Sequence, residues 1–156
     1  FCDLGQFNLY KKDHHQRENL QDIYAGAGQL LAELHARGVY HADTKTANFV
    51  INELCPWIDR QVLLVDCDQV RFYRNLPNSR RIKNLGQFLA TTGNLPEEQK
   101  GTLIQAFLHA YSTQARLSVD EMNALLEQVN QQIQTGKISE NNHRQPVNFN
   151  MVQAER

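Results

Sequence analysis

Val39-Tyr-His-Ala-Asp-Thr-Lys-Thr-Ala-Asn-Phe-Val-Ile51 is the stretch that decides how this chain is read. It places His41, Asp43, Lys45 and Asn48 in the spacing H-x-D-x-K-x-x-N and then turns into the β-rich run Asn48-Phe-Val-Ile51. After a loop from Glu53 to Gln61 that contains Pro56, a second short run, Val62-Leu-Leu-Val65, ends on Asp66-Cys67-Asp68. Two short apolar runs this close in sequence predict a β-hairpin. Acidic and amide side chains stand at both of its ends.

Outward from the hairpin the period changes. Before it, Leu20, Ile23, Tyr24, Ala27, Leu30, Leu31 and Leu34 recur at spacings of three and four from Asn19 on, the pattern of one apolar helix face. Gly26 and Gly28 weaken the propensity of that helix and permit close approach of a neighbour. Gly38 ends it, just after Arg37. Beyond the hairpin, Arg71 to Lys83 contains Pro77 and reads as irregular. Helical patterns return at Ile82 to Thr92, Pro96 to Ser112 and Val119 to Gln134. Pro96 followed by Glu97 and Glu98 suits a helix start, because proline tolerates the first turn and acids favour its positive end. Ser118 with Glu121 three residues later predicts a capping box. The expected fold is α+β and mainly helical. Residues 1–136 form one domain, and residues 137–156 form a polar tail rich in Asn and Gln.

The 156 residues suffice for one core. Sixteen Lys and Arg balance seventeen Asp and Glu, so a generally basic nucleic-acid binder is not indicated. No apolar stretch is long enough to span a bilayer. Cys2, Cys55 and Cys67 form no CxxC pair, which argues against a zinc site or a disulfide framework and for a reducing, cytoplasmic setting. His14-His15 lacks spaced partners and reads as surface. Tyr10, Tyr24 and Tyr73 read as packing, Trp57 as an anchor of the hairpin loop, and Leu103, Ile104, Phe107, Leu108 and Tyr111 as helix core.

The H-x-D-x-K-x-x-N run followed by a strand and Asp66 resembles the catalytic loop and metal-binding motif of the protein-kinase-like superfamily. Phosphoryl transfer needs a carboxylate to orient the attacking hydroxyl, a cation near the transferred group and oxygen ligands for magnesium. The resemblance implies that Asp43 is the catalytic base and that Lys45 lies near the γ-phosphate of ATP. It also implies that Asn48 and Asp66 hold Mg2+ and that His41 braces the loop. Asp68 replaces the usual glycine and has no assigned role. The competing explanation is that His, Asp and Asn simply satisfy turns, as these residue types often do. Four fixed residues at these spacings occur by chance in about one of a few thousand such sequences, and the flanking helix and strands agree with the motif.

Ala42 stands where many regulated kinases have Arg, little room is left for a long activation segment, and no A-P-E motif occurs. With Arg80-Arg-Ile-Lys-Asn-Leu85 following, the chain is similar over about residues 20 to 112 to the lipopolysaccharide kinase family, whose members phosphorylate Kdo or heptose sugars of the bacterial inner core. The resemblance implies a protein-kinase-like C-terminal lobe acting on a lipopolysaccharide core or other anionic sugar acceptor, at the cytoplasmic face of the inner membrane. Arg71, Arg74, Arg80, Arg81 and Lys83 lie within thirteen residues that contain no acid and are the candidate acceptor-binding residues, the alternative being a solvated charged loop. A two-lobed kinase also needs a Gly-rich loop and a strand Lys paired with a helix Glu. Neither is found, so the expectation is that the chain, which opens on Phe1, is a fragment lacking its N-terminal lobe. A kinase of another acceptor and an inactive kinase-like binding module remain as alternatives.

Overall fold

The computed structural model describes residues 2–3, 17–51, 62–95 and 97–138. Four helices carry most of them: α1 (Arg17–Ala36), α2 (Asn78–Ala90), α3 (Glu97–Ala115) and α4 (Val119–Gln134). Five short strands make up the rest: β1 (Cys2–Asp3), β2 (Val39–His41), β3 (Phe49–Ile51), β4 (Val62–Leu64) and β5 (Val70–Phe72). The architecture is a mainly helical α+β arrangement with two small antiparallel sheets.

The expected hairpin is present, with Phe49, Val50 and Ile51 opposite Leu64, Leu63 and Val62. Its outer edge is covered by β1, with Cys2 opposite Ile51. The irregular reading of Arg71 to Lys83 is corrected. Val70–Phe72 pairs with Val39–His41, and α2 begins at Asn78, four residues before the expected Ile82. Val70–Phe72 is stabilised by a partner some thirty residues earlier in the chain, which no local pattern announces. Pro77, read as a breaker, occupies the N-cap position in an extended conformation and so starts the helix (φ −61°, ψ 142°). α2 also ends at Ala90, and Thr91–Asn94 tighten into a 3₁₀ turn. Ser118 and Glu121 form the predicted capping box at α4, and α3 extends to Ala115 rather than Ser112.

α1 packs along α3, and the core gathers Ile23, Tyr24, Leu31, Leu85, Phe88, Phe107, Tyr111 and Val129. Gly28 allows the approach: a Cβ there would collide with the backbone carbonyl of Phe107. Gly38 closes α1 in the left-handed region (φ +72°), where glycine has no steric penalty. Its carbonyl accepts from the amide of Tyr73 at 2.8 Å, which joins the end of α1 to the segment after β5. Phe88 is the hub, stacked on Phe107 (3.9 Å between centroids) and met edge-on by Phe49 (5.1 Å) and Tyr24 (5.9 Å). Phe49 directly follows Asn48, so the aromatic hub holds the strand that leaves the H-x-D-x-K-x-x-N segment. Beyond α4 the chain stays packed through Ile138, which is buried against Gly86 of α2. The expectations for His14, His15, Tyr10, Cys55, Trp57 and Pro96 lie outside the described residues. Among the described residues no helix is long and apolar enough to cross a membrane.

Candidate functional site

The topology brings the two motifs together. β2 pairs with β5 and β3 with β4, so the connection β2–β3 and the connection β4–β5 both cross between the same two sheets. The first connection is the 42–48 segment and the second is the 65–69 segment. They are stitched at Val65, the residue before Asp66. Its carbonyl accepts from His41 Nε2 at 3.1 Å, and its amide donates to the carbonyl of Asn48 at 2.9 Å.

His41 is buried and bonds at both ring nitrogens. The amide of Asp43 donates to Nδ1 at 3.2 Å, so Nδ1 is the acceptor and Nε2 carries the proton given to Val65. The ring therefore fixes the start of the segment and its distance from the Asp66 turn. Asn48 closes the other end by donating from Nδ2 to the carbonyl of Asp43 at 2.8 Å. That leaves the amide oxygen as its acceptor end. Asp43 and Lys45 form an ion pair at 2.9 Å with both side chains about one-third exposed (37% and 36%). The carboxylate is thus held beside a cation and still faces solvent.

Asp66 is exposed and sits in the left-handed region (φ 62°, ψ 54°), at the entry to the 3₁₀ turn Cys67–Gln69. Among the described residues its carboxylate has no hydrogen bond or ion pair. Asp68 is exposed on the same turn. No group of three His, Cys, Asp or Glu able to hold a metal occurs among the described residues. What the site offers is one amide oxygen, at Asn48, and the free carboxylate of Asp66. That donor set suits a hard cation that takes its other ligands from phosphates and water.

The candidate acceptor residues are not equivalent. Arg71 on β5 and Arg74 after it are exposed. The Arg80 guanidinium lies over the buried Tyr40 ring, 4.9 Å from its centroid. Arg81 turns inward, its charge bearing on both His35 and Tyr111, and Lys83 is half-buried.

The sequence reading missed the supports of the 42–48 segment, which come from α2. Thr44, buried, donates its hydroxyl to the Asn84 carbonyl at 2.8 Å. Asn84 Nδ2 donates to the His41 carbonyl, and Gln87 Nε2 to the Ala42 carbonyl at 2.8 Å. The Thr46 amide donates to Thr91 Oγ1 at 2.9 Å. Behind Asn84, His35 Nε2 donates to Asn84 Oδ1 at 3.1 Å and His35 Nδ1 accepts from the Tyr111 hydroxyl at 2.8 Å. Burial lowers the His35 pKa to about 4, against the bond to Asn84, and raises the Tyr111 pKa to about 12. One signal was available in the sequence. Asn84, Gln87 and Thr91 recur at spacings of three and four, a polar row beside the apolar face of Ile82, Leu85, Phe88 and Leu89.

No family model matches this chain, and no curated protein does. Among solved structures, WaaP in complex with acyl carrier protein matches 89% of this chain and 58% of its own at 14% identity, with a TM-score of 0.59. This chain therefore spans less than two-thirds of that one. The likeness establishes that the mainly helical α+β arrangement described above is shared with WaaP.

Proposed function

We propose that the protein carrying this chain is an ATP-dependent phosphotransferase acting on a sugar hydroxyl of the lipopolysaccharide inner core, Kdo or heptose, and that this chain is its kinase-like C-terminal lobe. The observation that carries the reading is the pair of hydrogen bonds at Val65. Two segments separated by an intervening loop, each with the residue types phosphoryl transfer needs, are fixed side by side.

In this reading Asp43 orients the acceptor hydroxyl and takes its proton as the hydroxyl oxygen bonds to the γ-phosphorus of ATP, the bond from that phosphorus to the bridging oxygen breaks and ADP leaves. Lys45 pairs with the carboxylate and adds positive charge beside the transferred group. Asn48 and Asp66 would hold Mg2+, whose chemistry here is neutralisation of phosphate charge. Arg71 and Arg74, both exposed, are the residues best placed for an anionic acceptor. The fold shared with WaaP supports a relation to such enzymes. The motif residues, rather than the fold, carry the assignment of activity.

The test is transfer of label from γ-labelled ATP to core glycolipid, to free sugars and to protein acceptors. Glycolipid labelling is expected. Labelling confined to protein moves the assignment to a protein kinase, and no labelling of any acceptor refutes catalysis. Asp43→Ala should lower the rate by about 10³-fold, within the range of general-base effects, with the melting temperature unchanged.

A further inference from the structure

One face of α2 meets the 40–46 segment residue by residue. Arg80, Asn84, Gln87 and Thr91 recur at spacings of four, three and four. Arg80 lies over Tyr40, Asn84 bonds the carbonyl of His41, Gln87 bonds Ala42 and Thr44, and Thr91 bonds the amide of Thr46. Gln87 is distinctive in this row because its side-chain amide brackets Asp43. Nε2 donates to the carbonyl of residue 42 at 2.8 Å. Oε1 accepts from the amide of residue 44 at 3.4 Å, with the Thr44 hydroxyl 3.2 Å away and its one proton directed to the Asn84 carbonyl. The only backbone carbonyl between these two anchors is that of Asp43, and Asn48 holds it at 2.8 Å.

We propose that Gln87 is a positioning residue that sets the orientation of the Asp43 carboxylate by clamping the backbone on both of its sides. The catalytic part of this inference rests on the phosphotransferase reading; the clamp itself does not. A carboxylate on an unbraced loop samples many directions, and a misplacement of about 1 Å costs an enzyme on the order of 100-fold. Gln87 never touches substrate in this scheme. It is half-buried on a helix whose core contacts come from Ile82, Leu85, Phe88 and Leu89, so its loss leaves the hydrophobic packing intact.

The experiment compares Gln87→Ala and Gln87→Glu with the unaltered protein. Glutamate keeps the acceptor toward Thr44 and loses the donor toward Ala42. A control, Gln128→Ala, removes a side chain that among the described residues bonds only to the Ala124 carbonyl on α4. Gln87→Ala is expected to lower kcat about 100-fold with KM for ATP within about twofold. Gln87→Glu should fall between the two. Amide exchange at Thr44 should accelerate about tenfold or more, while amides of α1 and α3 keep their protection. Unchanged exchange at Thr44 overturns the clamp. Unchanged kcat, or a loss matched by the fraction unfolded, overturns the positioning role. Absence of transfer by the unaltered protein overturns the phosphotransferase reading and the positioning role with it, and Thr44 exchange then still decides the clamp.

Discussion

The two segments of the candidate site are built in opposite ways. In the 41–48 segment His41, Thr44, Thr46 and Asn48 are buried, and each makes a hydrogen bond that fixes the backbone or joins it to α2. In the 65–72 segment every residue but Val70 is exposed; Phe72 is 80% accessible and Val65 38%. Asp66 holds a left-handed conformation there, and among the described residues its carboxylate has no hydrogen bond or ion pair. Buried polar groups must be paired, so the first segment is rigid before any ligand arrives. The second leaves its acceptor atoms to water or to a ligand, which is what a metal-binding carboxylate requires.

The largest effect expected to test this contrast comes from His35, behind the rigid segment. Its folded pKa of about 4 lies below the ordinary 6.5 because burial disfavours the imidazolium. Between those values the unfolded chain binds the extra proton. Stability from this group is therefore complete above pH 6.5 and is lost as the pH falls toward 4, by about 3 kcal/mol. Urea unfolding at pH 7 and pH 4 should show this loss in the native chain and a smaller one in His35→Gln. Equal losses in the two proteins would mean that the polar network does not hold His35 neutral.

Asp66 tests the other side. Asp66→Asn should leave stability within about 0.5 kcal/mol, since the fold does not use the charge. Asp66→Val should cost about 1–2 kcal/mol, because a β-branched side chain is strained at positive φ. Thermal melts distinguish the two variants; a matching cost in the Asn variant would show that the carboxylate is structural. The smallest effect belongs to the Asp43–Lys45 pair. With both side chains about one-third exposed, Lys45→Met should change stability by less than about 1 kcal/mol, although it removes the cation beside the proposed catalytic carboxylate. A larger loss in melting experiments would place the pair among the rigid elements.

Much of this was legible from residue types. Leu20, Ile23, Tyr24, Ala27 and Leu31 announced α1 because a helix buries a stripe of period 3.6, and all five are buried. Ser118 and Glu121 announced the start of α4 because their bonds are local. The hairpin followed from two β-rich runs and a short loop. β1, β2 and β5 were not legible, because each pairs with a partner far along the chain rather than with its neighbour across one loop. The role of Pro77 was misread for a related reason: proline both breaks and begins helices, and only the packing of Ile82, Leu85 and Phe88 shows which.

The sequence by itself determined which side chains are the candidates for chemistry. The types and spacing of His41, Asp43, Lys45, Asn48 and Asp66 are covalent facts, and their acid–base and donor properties belong to the residues. Tertiary structure alone decided that the two motifs touch through Val65. It alone committed Arg80 to Tyr40, turned Arg81 inward, and made Asn84, Gln87 and Thr91 the supports of the 42–48 segment. These are hydrogen bonds and ring contacts between residues 24 to 45 positions apart in the chain. No local preference encodes them; they form when the buried faces of α1, α2 and α3 close on one another and leave the polar groups between them only each other as partners.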